Sequence, residues 1–261
     1  MPEALEIESY RRLADRVVGA TIARAEADAY AAKRLSSPSA WARAARGRRV
    51  TGTRRRGKLL VLDTDGVALG VRFGMTGVLL LDGAAGIDGL FYGPHDYREE
   101  WIRATLTFTD GRRLLLHDPR RLARVLVDPN LDELGPDAIG LTRTQFDAAL
   151  GAERGDGPAV KARLLDQGRV AGVGNLLADE MLFRAGVDPR TPVGRLSAAH
   201  RSALFRAFGT TMRTLARRGG SHTGDHMAAR FPGGLCPRDG APMLVATIGG
   251  RTTYWCSRHQ A

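Results

Sequence analysis

The chain has 261 residues, 39 Lys and Arg against 28 Asp and Glu, and a formal net charge of +11. That length suits one large or two modest domains with a real core, and the positive excess favours a polyanionic partner, nucleic acid first. No stretch reaches 18 apolar residues and no apolar leader opens the chain, so a soluble, cytoplasmic protein is expected. Two cysteines, Cys236 and Cys256, exclude a disulfide-built fold.

The first eight residues read Met1-Pro2-Glu3-Ala4-Leu5-Glu6-Ile7-Glu8. Removal of Met1 leaves Pro2 with a free secondary amine, which can attack an aldehyde-like carbon and form an iminium. Glu3 adjoins that nitrogen and Glu6 follows one helical turn on, so an acid stands beside the nucleophile. The same residues also suit an ordinary helix start, with proline in the first turn and carboxylates at the positive end of the dipole. If Met1 is retained, the Pro2 nitrogen is an amide and cannot attack.

Leu5, Tyr10, Leu13, Ala14 and Val17 recur at helical spacing, and Gly19 ends the run. Residues 21–29 read as a strand, and Ser37-Pro38 starts a short helix to Gly47. Strand-like runs follow at 48–53, 58–63, 67–73 and 77–81, with a turn at Asp63-Thr64-Asp65-Gly66. Residues 87–100 read as a loop. Trp101 to Thr109, a turn at Asp110-Gly111 and Leu114 to His117 read as a hairpin, and residues 121–127 add a strand. The first half is thus β-rich behind one helix, a sandwich or barrel-like domain. Asp128-Pro129 through Leu141 is turn-rich. Helices are then predicted from Thr144, from Pro158 to Asp166, from Leu176 to Ala185 and from Ser197 to Arg217, and the Gly- and Pro-rich remainder closes in a hairpin around Gly249-Gly250. The division is 1–128, a linker at 129–142, a helical domain at 143–220 and a hairpin module at 221–261.

Two basic stretches, Arg54-Arg55-Arg56-Gly57-Lys58 and Asp118-Pro119-Arg120-Arg121, suit either solvated sheet edges or phosphate contacts. Met75 lies between Gly74 and Gly77, in the core or projecting from a turn as an apolar wedge. The glycine-rich run Val170 to Asn175 precedes a helix. Asn175 is a fit N-cap, the helix start offers N–H groups to a phosphate, and Lys161 stands ready to add a cation. At the C-terminus, Cys236-x-x-Asp239 and Cys256-x-x-His259 flank the hairpin. Two such knuckles can close a tetrahedral structural zinc site, although an aspartate oxygen is a harder ligand than a thiolate. A rival set recruits His222 or His226, and a metal-free hairpin packed by Trp255 is the alternative.

Together these stretches resemble the formamidopyrimidine-DNA glycosylase and endonuclease VIII family, in order and over nearly the whole chain. The motifs are Pro2-Glu3 with Glu6, Arg55-Arg56-Gly57-Lys58, Gly74-Met75-Thr76-Gly77, Asp118-Pro119-Arg120-Arg121, Leu165-Asp166-Gln167, Val173-Gly174-Asn175, Arg251 and Cys256. The resemblance implies an α+β protein. Its parts are an N-terminal β-sandwich with a leading helix, a helix–two-turn–helix domain and a zinc-finger-like β-hairpin, with damaged double-stranded DNA in the cleft between lobes. It implies a monomeric base-excision repair enzyme that flips the damaged base out. Pro2 attacks the sugar C1′ and forms a Schiff base, Glu3 protonates the ring oxygen, Glu6 supports the site, and β,δ-elimination follows. Lys58 binds phosphate near the lesion; Lys161, Asn175 and Arg251 grip the backbone; Met75, Arg120 and Leu122 fill the vacated space. Zinc sits on Cys236, Asp239, Cys256 and His259, and no organic cofactor is implied.

The departures from the family pattern concern lesion choice. Leu122 stands where the purine-acting branch commonly has an aromatic, the segment between Gly220 and Cys236 is short where that branch carries a long lesion-capping loop, and Asp239 and His259 replace two cysteines. Oxidised purines are slightly favoured over pyrimidines. The alternatives are a glycosylase for a bulkier adduct and a non-excising binder of damaged or abasic DNA.

Overall fold

The computed structural model describes residues 2–87, 89–90, 93, 96–151 and 156–261. Met1 and part of the predicted loop at 87–100 lie outside the described residues. The chain divides into two compact units, one of Met1–Pro2 and Glu6–Leu131, the other of Glu3–Leu5 and Asp132–Ala261.

In the first unit, α1 (Ala4–Asp15) runs into a turn that ends at Gly19, whose φ of +89° suits glycine. Five strands form one antiparallel sheet in the order β1-β7-β8-β5-β6: β1 (Ile22–Ala27), β5 (Val78–Leu81), β6 (Ala84–Ala85), β7 (Ile102–Phe108) and β8 (Arg113–His117). Four form a second, β2-β3-β4-β9: β2 (Val50–Arg56), β3 (Leu59–Thr64), β4 (Leu69–Arg72) and β9 (Arg124–Val127). Inward residues of both sheets share one core. Leu79, Leu106, Phe108 and Leu116 come from the first sheet and Leu60, Leu62, Val71 and Val125 from the second, joined by Ile7 and Tyr10 of α1 and by Trp41 of α2 (Pro38–Ala45). This is a sandwich, built as the alternating patterns predict. The two-residue β6 has no counterpart in the sequence reading, being too short to carry an alternation.

The chain crosses from one sheet to the other twice at one end of the sandwich. β4 leads through 73–77 to β5, and β8 leads through 118–123 to β9. Because β4 pairs with β9 and β5 with β8, both antiparallel, the two crossovers run side by side.

The second unit holds α3 (Arg143–Leu150), α4 (Val160–Leu165), α5 (Asn175–Ala185) and α6 (Ala198–Arg218) around a core of Phe146, Leu164, Leu177, Met181, Leu182, Leu204 and Phe208. Thr142 starts α3 with a capping box to Gln145, and the Ser197 side chain caps α6. β10 (Leu244–Ile248) and β11 (Arg251–Trp255) form the terminal hairpin. Its two central residues, Gly249 and Gly250, have φ of +58° and +71°, as a tight two-residue turn requires. None of the described helices is long and apolar enough to cross a membrane.

Trp41 is 1% exposed and sits among the sandwich core residues. Trp41→Ala is expected to destabilise the first unit by about 3–5 kcal/mol, read as a lowered denaturant midpoint of the intrinsic fluorescence and circular dichroism transitions.

Candidate functional site

Glu3 is 1% exposed, and its carboxylate occupies the start of α5. Oε2 accepts from the Gly174 N–H at 2.8 Å and the Leu177 N–H at 3.2 Å, and Oε1 accepts from the Leu176 N–H at 2.9 Å. A helix leaves its first N–H groups without internal partners, and a carboxylate there also meets the positive end of the dipole. The preceding turn is shaped by Gln167, which donates to the Leu165 and Val173 carbonyls and accepts from the Gly172 N–H. The Ala4 N–H donates to the Gly172 carbonyl at 3.0 Å, so the main chain beside Glu3 is held as well.

Two expectations are corrected here. The N-cap is Gly174, and Asn175 is the first helical residue, so Asn175 does not cap. Its Nδ2 instead donates to the Thr252 carbonyl of β11 at 3.0 Å. The N–H groups assigned to a phosphate are taken by Glu3. Gly174 leaves room for this carboxylate, since a Cβ there would overlap the Glu3 carboxyl carbon, lie 2.5 Å from Oε1 and force the side chain to move.

Lys161 is the third correction. It is 0% exposed, and its Nζ lies 2.6 Å from Asp179 Oδ1 and donates to Thr253 Oγ1 at 2.6 Å. Arg230 reaches the other oxygen of Asp179 at 2.8 Å. Burial lowers the Lys161 ammonium pKa and raises that of the Asp179 carboxyl, each opposed by the other's charge. Lys161 is therefore an internal cation and is not presented to a phosphate.

In the first unit, Pro2 is buried, Glu6 is 1% exposed and Lys58 is half-buried. Lys58 follows Gly57 (φ +57°) in the β2–β3 turn. Arg55 braces that turn, donating to the Gly57 carbonyl at 2.9 Å and pairing with Glu8 of α1 at 3.3 Å. Burial raises the Glu8 pKa, but Arg11 and Arg55 outweigh it and hold the carboxyl below its usual range. Met75 is half-buried on one crossover, while Arg120 and Leu122 are exposed on the other, Leu122 by 40%. Arg251 is exposed at the hairpin turn of the second unit.

The four predicted metal ligands come together, with the ligand atoms of Cys236, Asp239, Cys256 and His259 all within 4.8 Å of one another. His259 Nε2 stands 3.2 Å from the Phe183 carbonyl, which makes Nε2 the donor and turns the Nδ1 lone pair inward. Nδ1 is 3.4 Å from Cys236 Sγ and 3.7 Å from Asp239 Oδ2, and Cys256 Sγ is 3.3 Å from that same oxygen. A tetrahedral zinc ion with bonds of about 2.0–2.3 Å separates its ligands by roughly 3.3–3.8 Å, so the set fits a tetrahedral metal. The rival histidines are outside this cluster. His226 stacks on Phe183 at 4.9 Å, neither ring nitrogen has a hydrogen-bond partner among the described residues, and burial, with Arg230 and Lys161 nearby, lowers its pKa to about 3.

Two sequence families match in chain order, described as formamidopyrimidine-DNA glycosylase N-terminal domain over residues 1–125 and H2TH domain over residues 134–226. The chain belongs to the formamidopyrimidine-DNA glycosylase family. Among similar members, the formamidopyrimidine-DNA glycosylase of Ruegeria pomeroyi is 32% identical with both chains fully covered. That of Bordetella avium is 33% identical, covering 100% of this chain and 99% of its own. The MutM (FPG) protein of Thermus thermophilus superposes with a TM-score of 0.79 at 29% identity, covering 99% of this chain and 98% of that one. A Lactococcus lactis Fpg (MutM), solved with DNA containing an oxidised pyrimidine, gives 0.80 at 25% identity over 99% of each.

The opening residues located Glu3 and Glu6 and the paired C-x-x spacing located the metal-like cluster, but the partners of three groups escaped sequence reading. Gln167 shapes the turn that receives Glu3, while Asp179 with Arg230, and Glu180 with the Asp225 and His226 N–H groups, fasten segments far apart in sequence. Only a structure pairs them.

Gly174→Ala is expected to displace Glu3 and lower the single-turnover rate of base excision on the order of 100-fold, with the circular dichroism spectrum retained. Lys161→Met is expected to cost about 3 kcal/mol by leaving Asp179 short of a partner. It leaves the slope of log affinity for DNA against log salt unchanged, whereas Arg251→Ala lowers that slope by about one unit.

Proposed function

We infer that the chain is a bifunctional DNA glycosylase and abasic-site lyase of base-excision repair, acting on damaged double-stranded DNA. The single observation that carries this is the fixed Glu3 carboxylate next to Pro2, within a chain that aligns end to end with formamidopyrimidine-DNA glycosylases. Once Met1 is removed, the Pro2 nitrogen attacks C1′ of the damaged nucleotide as the C1′–base bond breaks, and the C1′–O4′ bond then opens, O4′ taking up a proton, to leave an iminium. The iminium makes the C2′ proton acidic, so the 3′-phosphate and then the 5′-phosphate leave by β- and δ-elimination. Glu3, held by three N–H groups, assists at the ring oxygen, Glu6 supports the same region, and Lys58 binds the phosphate beside the lesion. Met75, Arg120 and Leu122 fill the space left by the flipped nucleotide, and Arg251 holds the backbone.

A zinc ion on Cys236, Asp239, Cys256 and His259 is structural in this reading, because the protein fills all four positions. When bound, it supplies cross-linking of the two knuckles and no chemistry at the sugar.

Met75 and Arg120 favour oxidised purines such as 8-oxoguanine or a formamidopyrimidine. Leu122, which fills space but stacks poorly, supports a wider range that includes pyrimidines. The Lactococcus lactis protein solved with an oxidised pyrimidine is consistent with that breadth.

Borohydride trapping on duplexes carrying 8-oxoguanine, an oxidised pyrimidine or an abasic site tests the reading. An adduct mapped to Pro2 on a base lesion is expected, with the purine trapped fastest, and none from protein that keeps Met1. An adduct from Met1-retaining protein, or none from the processed chain, refutes it. Metal analysis of protein purified without chelator is expected to find about one zinc per chain, lost in Cys256→Ser.

A further inference from the structure

Asp118 follows β8 at the root of the second crossover and is 0% exposed. Four donors converge on its carboxylate. Oδ1 accepts from Thr76 Oγ1 at 2.5 Å and from the Arg120 N–H at 3.2 Å, and Oδ2 accepts from the Leu122 N–H at 2.6 Å and the Ala123 N–H at 2.7 Å. Thr76 belongs to the first crossover, next to Met75, and the other three donors belong to the second. The base of the clamp is itself fixed, since the Asp118 N–H donates to the Trp101 carbonyl at 2.8 Å and Arg103 Nε donates to the Asp118 carbonyl at 2.9 Å.

The crossovers also touch directly. Gly74 has φ of +62°, and a Cβ on it would lie 2.7 Å from Leu122 Cβ and 2.8 Å from its carbonyl carbon. Between Asp118 and Leu122, Arg121 takes a φ of +57°, uncommon for a side chain of its kind. The three backbone bonds to Asp118 hold the loop in that conformation, and Arg121 finds its own partner in the Tyr30 hydroxyl at 3.0 Å.

We propose that Asp118 is a positioning residue that locks Met75 and Leu122 into one rigid wedge, so that both enter the duplex together when a base is extruded. This rests on the glycosylase reading above. Two side chains on separate loops otherwise insert independently, each losing conformational entropy at insertion. A buried carboxylate shared by both loops removes that loss beforehand. The cost appears only where an opposing nucleotide must be kept stacked while its partner leaves.

The test uses Thr76→Val, which removes one bond to Asp118 at nearly constant volume, with Thr76→Ser as the conservative control and Asp118→Asn as the stronger variant. Single-turnover excision is measured on the same lesion in a fully paired duplex and opposite a one-nucleotide gap, where no opposing base needs support. Thr76→Val is expected to slow excision from the paired duplex on the order of 10-fold, with binding affinity and the rate opposite the gap nearly unchanged. Thr76→Ser is expected to restore the rate. Asp118→Asn is expected to widen the ratio between the two substrates. Equal slowing on both, or slowing on neither, overturns the proposal while wild-type excision still stands. Wild-type protein that excises from neither substrate removes the glycosylase reading and this proposal together.

Discussion

The first turn of α5 needs an anion, and Glu3 supplies it from the far end of the chain. Three N–H bonds to one carboxylate turn a segment that would ordinarily fray into one of the better-held parts of the second unit. That is why Glu3–Leu5 cluster with residues after Asp132, although the chain on either side clusters with the sandwich. A nucleophilic terminal amine gains little from a flexible tail, since a reacting nitrogen must be held near its target before orientation contributes to rate. Anchoring the very next residue restricts Pro2 without spending any contact on the amine itself. The same use of the helix start removes its N–H groups as a phosphate site.

The excess of positive charge divides into two populations. Lys161, Arg230, Arg55 and Arg103 have side chains no more than 8% exposed and are paired with carboxylates inside the protein. They fasten loops and helices to one another, and breaking such a pair from one side costs far more than forming it returns. Others, Arg120 and Arg251 among them, are exposed, and it is cations of this kind that a polyanion can engage through counterion release. Net charge alone therefore overstates the number of cations available to DNA.

Much of this was legible in the sequence where the signal is local. Alternating apolar runs gave every strand of both sheets except the two-residue β6 within a few residues, Gly249-Gly250 gave the hairpin, and paired C-x-x spacing gave the four residues that cluster at the C-terminus. What failed depended on partners remote in sequence. Nothing near Asn175 shows that Glu3, 171 residues before Gly174, takes the N–H groups of that helix. Nothing near Lys161 shows that Asp179 will face it across two helices, so a lone lysine beside a glycine-rich turn reads as a phosphate ligand. Asp118 was visible only as part of a basic motif, because its donors are backbone groups and one threonine on another loop.

Lys161 and Asn175 both serve the terminal hairpin from within the second unit. Both reach β11, Lys161 through Thr253 Oγ1 and Asn175 through the Thr252 carbonyl, the two residues that follow Arg251. Gly249, at the hairpin turn, lies so close to α4 that a Cβ would stand 3.1 Å from the Ala162 Cα. The distal half of the hairpin is thus fixed against α4 and α5 at three points, while the proximal half ends in the Cys236 and Cys256 knuckles. A two-stranded hairpin has little stability of its own. Here the Lys161 ammonium and the Asn175 amide hold the distal end of the hairpin, and the Cys236, Asp239, Cys256 and His259 cluster lies at the other.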